Sequence, residues 1–443
     1  MVQVLDVTHD LEVYASRRRQ FMARMERGVA VFRAAPVAVR SHDVEYPYRQ
    51  DNDFLYLTGF PEPEATCILE PDGNEPFTLF VRPRDKEKEI WTGYRAGVDG
   101  AKSAYGADAA YPLDELDTRL PKLIEHAPVL YFAPGRDRTF DQRVLDLYGW
   151  ARDNHARSGA GPRGMLDPGA ILHEMRLFKG PEEVAALERA IAIAAEGHQE
   201  ALRHVRPGVF EYEIEALLDY TFRRRGATGP AYPSIVASGP NATILHYTDN
   251  SRKMRDGELL LIDAGAEYGG YCADVTRTFP IGRRFSEAQR RLYEIVLAAQ
   301  HAAIDAIRPG VAFDAPHQRA LEVLVDGLLE LGLVSGTRDA AIESGAYRSF
   351  YMHRTSHWLG MDVHDVGVYR IGEGARPLAA GMVLTVEPGL YVAHDCDGVD
   401  AQWRGIGIRI EDDVLVTATG SRVLSAAVPK SIADVEAVRS AVD

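Results

Sequence analysis

The sequence has few cysteines and no long apolar run. Three cysteines, Cys67, Cys272 and Cys396, occur among 443 residues, and no two of them have a CxxC spacing. A small, odd number of widely spaced cysteines gives no support to a disulfide framework and indicates a reducing compartment. No stretch approaches the ~18 consecutive apolar residues of a transmembrane helix, so we expect no membrane partner.

The N-terminus lacks the apolar segment of a secretory signal. Asp6, His9, Asp10 and Glu12 interrupt it, and we therefore expect no signal peptide. The chain also lacks an excess of positive charge, because its formal net charge is −15 at pH 7. This acidic balance argues against a nucleic-acid partner and suits a cytoplasmic protein.

Common nucleotide-binding and serine-hydrolase motifs are absent as well. The chain contains no GxGxxG, no GxxxxGK and no GxSxG pattern. Functions that depend on a phosphate-binding loop or on a nucleophilic serine at a strand end therefore have no support.

The length of the chain predicts two domains, because 443 residues exceed what one hydrophobic core usually serves. Residues 1–172 mix short strands with helices, which predicts an α/β domain. Residues 151–170 are rich in Gly, Arg and Pro, the composition of a linker. We therefore expect domains at 1–172 and 173–443. The predicted strands of the first domain are 29–33, 65–70, 77–81 and 129–132, and its predicted helices are 11–27, 113–126 and 139–152.

Residues 173–443 carry an internal repeat. Predicted helices at 180–205 and 210–225 flank the stop Arg206-Pro207-Gly208-Val209, and predicted helices at 286–307 and 314–331 flank the matching stop Arg308-Pro309-Gly310-Val311. An apolar strand reaches Asp263 six residues after Gly257, and another reaches Glu387 six residues after Gly381. We infer a duplicated helix–helix–strand unit, which would bring Asp263 and Glu387 together near a pseudo-twofold axis.

Asp263 and Asp274 lie on a predicted hairpin. An apolar run reaches Asp263, the turn Gly269-Gly270 follows, and a second β-type run carries Asp274. Isolated buried carboxylates are unfavourable, and two close together repel unless a cation or a shared proton lies between them. The pair therefore faces either solvent or a metal, and the hairpin alone leaves both alternatives open.

Histidines cluster later in the chain. His353, His357 and His364 fall within twelve residues, whereas His246 stands alone after a loop. No glutamate follows His353, so its spacing from His357 is not that of an HExxH zinc motif. A lone histidine such as His246 is more often structural than functional, but three together favour a site.

Four carboxylates complete the pattern. Arg409 and Glu411 alternate along a predicted strand and share a face, where alone they would form a solvated salt bridge. However, Asp263, Asp274, Glu387 and Glu411 each lie in or at the end of an apolar strand, where a stray charge is not expected. Four carboxylates with one imidazole favour Mn or Co, with Zn as an alternative, and they balance about two divalent cations. Two such ions predict metal-assisted hydrolysis of an acyl bond.

Longer motifs carry a resemblance over the whole chain. They are SHDVEYPYRQ at 41–50, DFLYLTG at 53–59, HWLGMDVHDVG at 357–367 and TVEPGLY at 385–391. Together with the ligand-type residues, they resemble the pita-bread metallopeptidases, and within that family the aminopeptidase P branch. The resemblance implies an α/β fold class, in which a creatinase/prolidase-like N-terminal domain precedes a pseudo-twofold pita-bread catalytic domain.

The resemblance implies a centre with two divalent metal ions, of which Mn is favoured and Co or Zn are alternatives. Asp274 and Glu411 would bridge both ions. Asp263 would bind one ion, and His357 with Glu387 would bind the other. Glu387 would also exchange the proton of the attacking water.

Further roles follow from the resemblance. His246 and His364 would hold the substrate carbonyl and the tetrahedral intermediate. His353 and Arg409 would line the pocket for proline. Tyr391 would be a hydrogen-bond donor behind the ligands.

Two features concern assembly and specificity. Trp91 matches an aromatic residue that in some relatives reaches a neighbour's active site within a tetramer, and the alternative is an ordinary packed tryptophan. We expect a homodimer or a homotetramer. Arg354-Thr355 replaces the small or apolar pair often found between the two histidines, which affects the shape of the proline pocket.

The implied activity is release of the N-terminal residue from peptides with proline in the second position. The bond before proline is a tertiary amide and proline fixes φ, so general peptidases position it badly. The alternatives are an Xaa-Pro dipeptidase (prolidase), which shares the ligands but cleaves only dipeptides, and a non-catalytic binding module on the same fold. Creatine hydrolysis also occurs on this fold.

Overall fold

The computed structural model describes residues 11–441. The chain divides into two compact units, Met1–Met175 and Arg176–Asp443, while the predicted domain extents stay a prediction. The first ten residues, which carry most of the argument against a signal peptide, lie outside the described residues. Among the described residues, no helix combines the length and the apolar character that a membrane crossing requires.

The first unit is built around one mixed sheet. Its strands are β1 (Val29–Arg33), β2 (Val39–Ser41), β3 (Val44–Glu45), β4 (Thr66–Leu69), β5 (Phe77–Val81), β6 (Ala109–Pro112), β7 (Val129–Tyr131) and β8 (Gly164–Leu166). The helices up to the end of this unit are α1 (Leu11–Arg24), α2 (Asn52–Thr58), α3 (Lys86–Thr92), α4 (Gly97–Ser103), α5 (Leu116–His126), α6 (Arg138–Ser158) and α7 (Gly169–Leu177). Six strands pair in the order β6-β5-β4-β1-β7-β8, and β2 with β3 forms a separate hairpin.

The core of this unit lies between the sheet and two helices. Strands β4 and β5 are buried along their whole length, as expected for central strands. Apolar side chains of the sheet, including Val31, Phe80 and Leu130, pack with Leu120 of α5 and Val144 of α6. The predicted strands at 29–33 and 77–81 are confirmed with the same bounds.

The expectation of a linker at 151–170 was wrong. Helix α6 continues to Ser158, and β8 pairs in parallel with β7 as the last strand of the sheet. Composition could not reveal this, because the strand partner of residues 164–166 lies far earlier in the chain. Most of the Gly and Pro residues of this stretch belong to the connections between β8 and its neighbouring helices instead.

The second unit contains both copies of the repeat. Its helices are α8 (Pro181–His204), α9 (Glu211–Arg224), α10 (Glu287–Ala306), α11 (Ala315–Glu330), α12 (Arg338–Ser344) and α13 (Ile432–Ser440). Its strands are β9 (Gly229–Pro230), β10 (Ile235–Ser238), β11 (Leu259–Asp263), β12 (Ala266–Tyr268), β13 (Tyr271–Cys272), β14 (Thr276–Pro280), β15 (Arg370–Ile371), β16 (Gly374–Ala375), β17 (Val383–Val386), β18 (Gly389–Val392), β19 (Ile406–Arg409), β20 (Asp412–Val416) and β21 (Ser421–Val423). The four predicted helices of the repeat are confirmed as α8, α9, α10 and α11.

The two helix stops share one backbone geometry. Gly208 and Gly310 have φ of 94° and 84°, a region that favours glycine. The N–H of Gly208 donates to the carbonyl of Met254 at 2.9 Å, and the N–H of Gly310 donates to that of Leu378 at 2.8 Å. Each stop is therefore tied to the segment that leads into the strand ending at Asp263 or before Glu387.

Antiparallel strand pairs then meet between the halves. Strand β11 pairs with β14, and β17 pairs with β20. The N–H of Glu411 donates across the halves to the carbonyl of Thr276 at 3.1 Å. Arg277 donates to Asp412 at 2.7 Å, and both side chains are buried. These contacts bring the carboxylate-bearing strand ends of both halves to one place.

The predicted hairpin between Asp263 and Asp274 contains a close approach. Strands β12 and β13 turn at Gly269 and Gly270, whose φ values of 59° and 83° suit a two-residue turn. A Cβ at Gly265 would lie 1.6 Å from the carbonyl oxygen of Ala273. Gly265 therefore allows the two aspartate-bearing segments to approach each other.

Gly265→Ala is expected to destabilise the second unit. The added methyl forces the two segments apart, so the free energy of unfolding should fall by at least about 2 kcal/mol. Urea unfolding measures the loss. Gly374→Ala is the matched control, because nothing lies within 4 Å of its added Cβ. Equal stability of the two variants would contradict the close-approach explanation.

Candidate metal centre

Three side chains form the middle of a polar cluster in the second unit. Asp274, His357 and Glu411 each offer a ligand atom, and these atoms lie within 4.8 Å of one another. His357 Nε2 lies 3.3 Å from Asp274 Oδ2. Asp274 and Glu411 are buried. Buried carboxylates that face one another and an imidazole have the chemistry of a metal site.

Asp263 and Glu387 join this cluster from the two central strand pairs. The hydroxyl of Tyr232 lies 2.5 Å from Asp263 Oδ1 and 2.5 Å from Asp274 Oδ1. Glu387 Oε1 lies 3.6 Å from His357 Nε2. The structure thus brings together all five residues that the sequence predicts as metal ligands.

Burial has the largest effect on the pKa values of Glu387 and Glu411, and repulsion between the carboxylates adds to it. Burial raises the pKa of Glu387 to about 7, helped by Asp274 and Asp263 and opposed by His357 and Arg409. Burial and the neighbouring carboxylates also raise the pKa of Glu411 well above its ordinary value. A shared cation would remove this repulsion, and the oxygen-rich donor set fits divalent metal ions.

His357 is oriented toward the carboxylates. Burial alone would lower its pKa, but the hydrogen bond to Asp274 and the charges of Asp274 and Glu387 raise it to about 9. Nδ1 lies 3.0 Å from the carbonyl oxygen of Trp358. With Nδ1–H donating to this carbonyl, Nε2 is left to face a metal. The indole of Trp358 is buried and stacks on Tyr369, which fixes this backbone.

Arg409 is hydrogen-bonded to Asp263 of the cluster, and Tyr391 links His353 to Arg409. Arg409 Nη2 donates to Asp263 at 2.6 Å, and Nη1 donates to the hydroxyl of Tyr391 at 3.0 Å. His353 Nε2 lies 2.8 Å from the same hydroxyl. Burial and then Arg409 lower the pKa of His353 to about 3, so its ring is neutral. Tyr391 therefore connects these two residues, and its role as a hydrogen-bond donor behind the ligands stays a prediction.

His246 and His364 lie at the exposed edge of the cluster. Both are exposed, and the His364 ring centroid is 4.4 Å from that of His357. Burial, followed by the charge of His357, lowers the pKa of His364, and His246 adds to this effect. The two predicted carbonyl-holding histidines thus flank the ligands on the solvent side.

Arg354 and Thr355 differ in their exposure to solvent. Arg354 is exposed, whereas Thr355 is fully buried. The Thr355 hydroxyl lies 2.9 Å from His317 Nδ1 and 2.6 Å from the Tyr351 hydroxyl. Its carbonyl accepts the N–H of Glu387 at 2.8 Å. Thr355 therefore supports Glu387 through its backbone carbonyl, while its hydroxyl contacts His317 and Tyr351, which a small apolar residue could not do.

Several residues around the ligands were missed by sequence reasoning. Tyr232 contacts two aspartates, and the Thr276 hydroxyl donates to Glu411 at 2.7 Å. Asp365, next to His364, is buried between Arg176 at 2.7 Å and Lys179 at 2.9 Å. Nothing in the spacing of these residues signals the contacts, because their partners lie in distant segments.

Trp91 lies in helix α3 of the first unit. Its side chain is 85% exposed, next to Ile90 at 81% and Tyr94 at 75%. The alternative of a packed tryptophan is therefore wrong for the single chain. The predicted contact with a neighbouring chain stays a prediction.

Comparisons with known sequences give one consistent relationship. Residues 185–418 match the family model described as Metallopeptidase family M24, and residues 14–131 match that of Aminopeptidase P, N-terminal domain. The chain is 45% identical over 428 residues to an Xaa-Pro aminopeptidase of Escherichia coli (strain K12), covering 96% of this chain and 97% of the relative. It is 43% identical over 427 residues to an Xaa-Pro aminopeptidase of Haemophilus influenzae, covering 96% of each chain.

Solved structures are similar over the same extent. Aminopeptidase PepP of Pseudomonas aeruginosa matches with a TM-score of 0.96 and 48% identity, covering 99% of each chain. A zinc-substituted E. coli aminopeptidase P in complex with product matches with a TM-score of 0.94 and 44% identity, covering 98% of this chain and 99% of that chain. The fold expected from the sequence, with its N-terminal α/β domain and pita-bread domain, is confirmed by these matches.

The metal-free protein is expected to lose stability as pH rises from about 7.5 to about 9, a window in which unfolded histidines have already lost their protons. The folded-state pKa values of Glu387, about 7, and His357, about 9, exceed their ordinary values of 4.5 and 6.5. The folded chain therefore binds more protons than the unfolded chain in this window, and stability falls with pH. The buried histidines with lowered pKa, His198, His317 and His353, oppose this trend near pH 6.5, where they bind protons only in the unfolded chain, but they are essentially neutral in both states in the window above.

Differential scanning calorimetry after chelator treatment checks this pH dependence. Adding Mn²⁺ should raise the melting temperature most at the alkaline end, because the cation replaces the lost protons. Glu411→Gln should flatten the profile of the metal-free protein. A wild-type melting temperature that stays level or rises over this window would contradict the account.

Tyr232→Phe is expected to weaken metal binding by roughly tenfold, as is typical when a group that orients ligands is removed. The variant loses the hydroxyl between Asp263 and Asp274. Isothermal titration with Mn²⁺ measures the affinity. Tyr293→Phe is the control, because that buried hydroxyl donates to the carbonyl of Lys430 instead. If both variants bind Mn²⁺ as tightly as the wild type, Tyr232 does not orient the ligands.

Proposed function

The chain belongs to metallopeptidase family M24, and we propose that it releases the N-terminal residue from peptides with proline in the second position. The observation that carries this proposal is the cluster of four carboxylates and His357. Whole-length identity of 43–45% to two Xaa-Pro aminopeptidases supports the substrate class. The enzyme is a metalloaminopeptidase that takes such peptides as substrates.

The five clustered side chains would hold two divalent metal ions. We assign Asp274 and Glu411 to both ions, Asp263 to one, and His357 with Glu387 to the other. Mn is our preferred metal because the donors are mostly oxygen, while Co and Zn are the alternatives. When bound, such ions polarise the scissile carbonyl and supply a water nucleophile at neutral pH.

Glu387 is the proposed proton carrier. Its carboxyl lies beside His357, and burial raises its pKa to about 7. A carboxyl of this kind can take a proton from the attacking water and return it to the leaving group. The leaving group is the ring nitrogen of proline, which has no proton of its own in the peptide and must receive one. Thr355 keeps Glu387 in position through the backbone bond of 2.8 Å.

His246 and His364 are the proposed carbonyl-holding residues. Both are exposed at the edge of the cluster, where the substrate arrives. Donors aimed at a developing oxyanion act mainly in the transition state. They should therefore affect kcat more strongly than substrate affinity.

His353 and Arg409 are the proposed residues of the proline pocket. His353 is neutral and held by Tyr391, so it offers a flat, uncharged wall to the proline ring. Arg409 is buried and donates to Asp263. We therefore assign Arg409 a second task, which is to position Asp263.

Assembly and location are also proposals. We favour a homodimer or homotetramer, supported by the exposed apolar set of Ile90, Trp91 and Tyr94. A cytoplasmic location is supported by the three free cysteines. We propose no nucleic-acid partner, in line with the net charge of −15.

Assay of an Xaa-Pro-Yaa tripeptide with added Mn²⁺ is expected to release free Xaa, whereas Xaa-Ala-Yaa should be a poor substrate. Glu387→Ala should lower kcat by roughly a hundredfold or more, because a proton carrier contributes about that much. Chromatography of the products measures both effects.

The same assay separates the alternatives. Cleavage of an Xaa-Pro dipeptide without cleavage of the tripeptide would favour prolidase. No cleavage of any peptide by the Mn²⁺-loaded protein would favour the binding module. The presence of all five ligand-type residues in the cluster argues against that module.

A further inference from the structure

Glu211 is a fully buried carboxylate outside the metal cluster. It lies in the first turn of α9 with an exposed fraction of 0%. No arginine or lysine side chain among the described residues forms a salt bridge with it. A buried carboxylate of this kind is stable only when hydrogen bonds satisfy its oxygens.

One loop supplies the hydrogen bonds that Glu211 receives. Ser238 donates to Oε1 through its N–H at 2.7 Å and through its hydroxyl at 2.6 Å, and Asn241 Nδ2 donates to Oε1 at 3.1 Å. The Tyr247 hydroxyl and the Arg252 N–H both donate to Oε2 at 2.8 Å. One side chain therefore fixes residues 238, 241, 247 and 252 at once.

The same loop carries His246. Leu245 packs in a cluster with Tyr247 and Tyr391, and its carbonyl accepts a 3.5 Å contact from Arg409. Tyr247 is buried and donates to Glu211. His246 is thus an exposed residue between two neighbours that are both held in place.

We propose that Glu211 is a positioning residue for His246, acting through the loop that it anchors. This inference rests on the proposed function, in which His246 holds the substrate carbonyl. The loop depends on this carboxylate for its shape, because its regular structure is limited to a short 3-10 helix at Gly239–Thr243. Its five donors fix the loop from the side of α9.

Both side-chain oxygens of Glu211 must be hydrogen-bond acceptors. Ser238 and Asn241 point protons at one oxygen, while Tyr247 and Arg252 point protons at the other. An amide in place of the carboxylate would turn an N–H toward one of these donor pairs. The loop would then move, because a buried donor facing another donor is unfavourable.

Glu211→Gln is the first test, measured in steady state on an Xaa-Pro-Yaa tripeptide with Mn²⁺. We expect kcat and kcat/KM to fall together by roughly tenfold to a hundredfold, with KM unchanged, since the contact acts in the transition state. Metal content measured by atomic absorption should equal that of the wild type. The decisive measurement is the kcat of the double variant Glu211→Gln/His246→Ala, which should be no lower than the kcat of His246→Ala alone.

Two further variants sharpen the test. Tyr247→Phe removes one donor and keeps the carboxylate, so it should lower kcat less and should also have no effect in the His246→Ala background. This variant carries the test if Glu211→Gln does not fold. Glu183→Gln is the matched control, because Glu183 is a buried carboxylate in the first turn of α8 that accepts from Gly180 and Tyr271. Its kcat should stay close to that of the wild type.

The outcomes separate this inference from the proposed function. Wild-type protein that releases no Xaa, or His246→Ala with full activity, contradicts the proposed role of the site. A second result overturns the positioning role alone. In it, the wild type is active and His246→Ala lowers kcat markedly, but Glu211→Gln or Tyr247→Phe lowers kcat by the same further factor in the His246→Ala background. Wild-type kcat in Glu211→Gln overturns it as well.

Discussion

Repulsion among four clustered carboxylates, three of them buried, is the constraint on which the second unit depends. Asp263, Asp274, Glu387 and Glu411 lie together where burial raises the pKa of Glu387 to about 7 and that of Glu411 well above its ordinary value. Protons can relieve this repulsion, and divalent cations relieve it more completely. The stability of the metal-free chain, its response to pH and its catalytic chemistry therefore have one common origin.

The fold holds these charges together by drawing them from two halves. Thr276 donates to Glu411, Arg277 to Asp412, and Arg409 to Asp263, and each bond joins one half to the other. Such partners keep like charges close before any ion binds, which is what a preorganised metal site requires. The outer residues are held within each half: Thr355 supports Glu387 in the second half, and Glu211 anchors the loop of His246 in the first.

Much of this arrangement could be predicted from the sequence. The helices on both sides of the two Arg-Pro-Gly-Val stops follow from apolar periodicity, and the spacing from Gly257 and Gly381 points to Asp263 and Glu387. Tyr232 and Glu211 could not be found in this way, because their contacts depend on distant segments meeting in the folded chain. The linker expected at 151–170 failed for the same reason, since composition does not show which strand β8 joins.

Anomalous diffraction from crystals of the Mn²⁺-loaded protein, recorded on both sides of the manganese absorption edge, shows whether these carboxylates hold two metal ions. We expect two manganese peaks, both bonded to carboxylate oxygens of Asp274 and Glu411. Asp263 should complete one coordination sphere, and His357 with Glu387 should complete the other. The absence of manganese from this cluster, or a single ion bonded to neither Asp274 nor Glu411, would contradict this expectation.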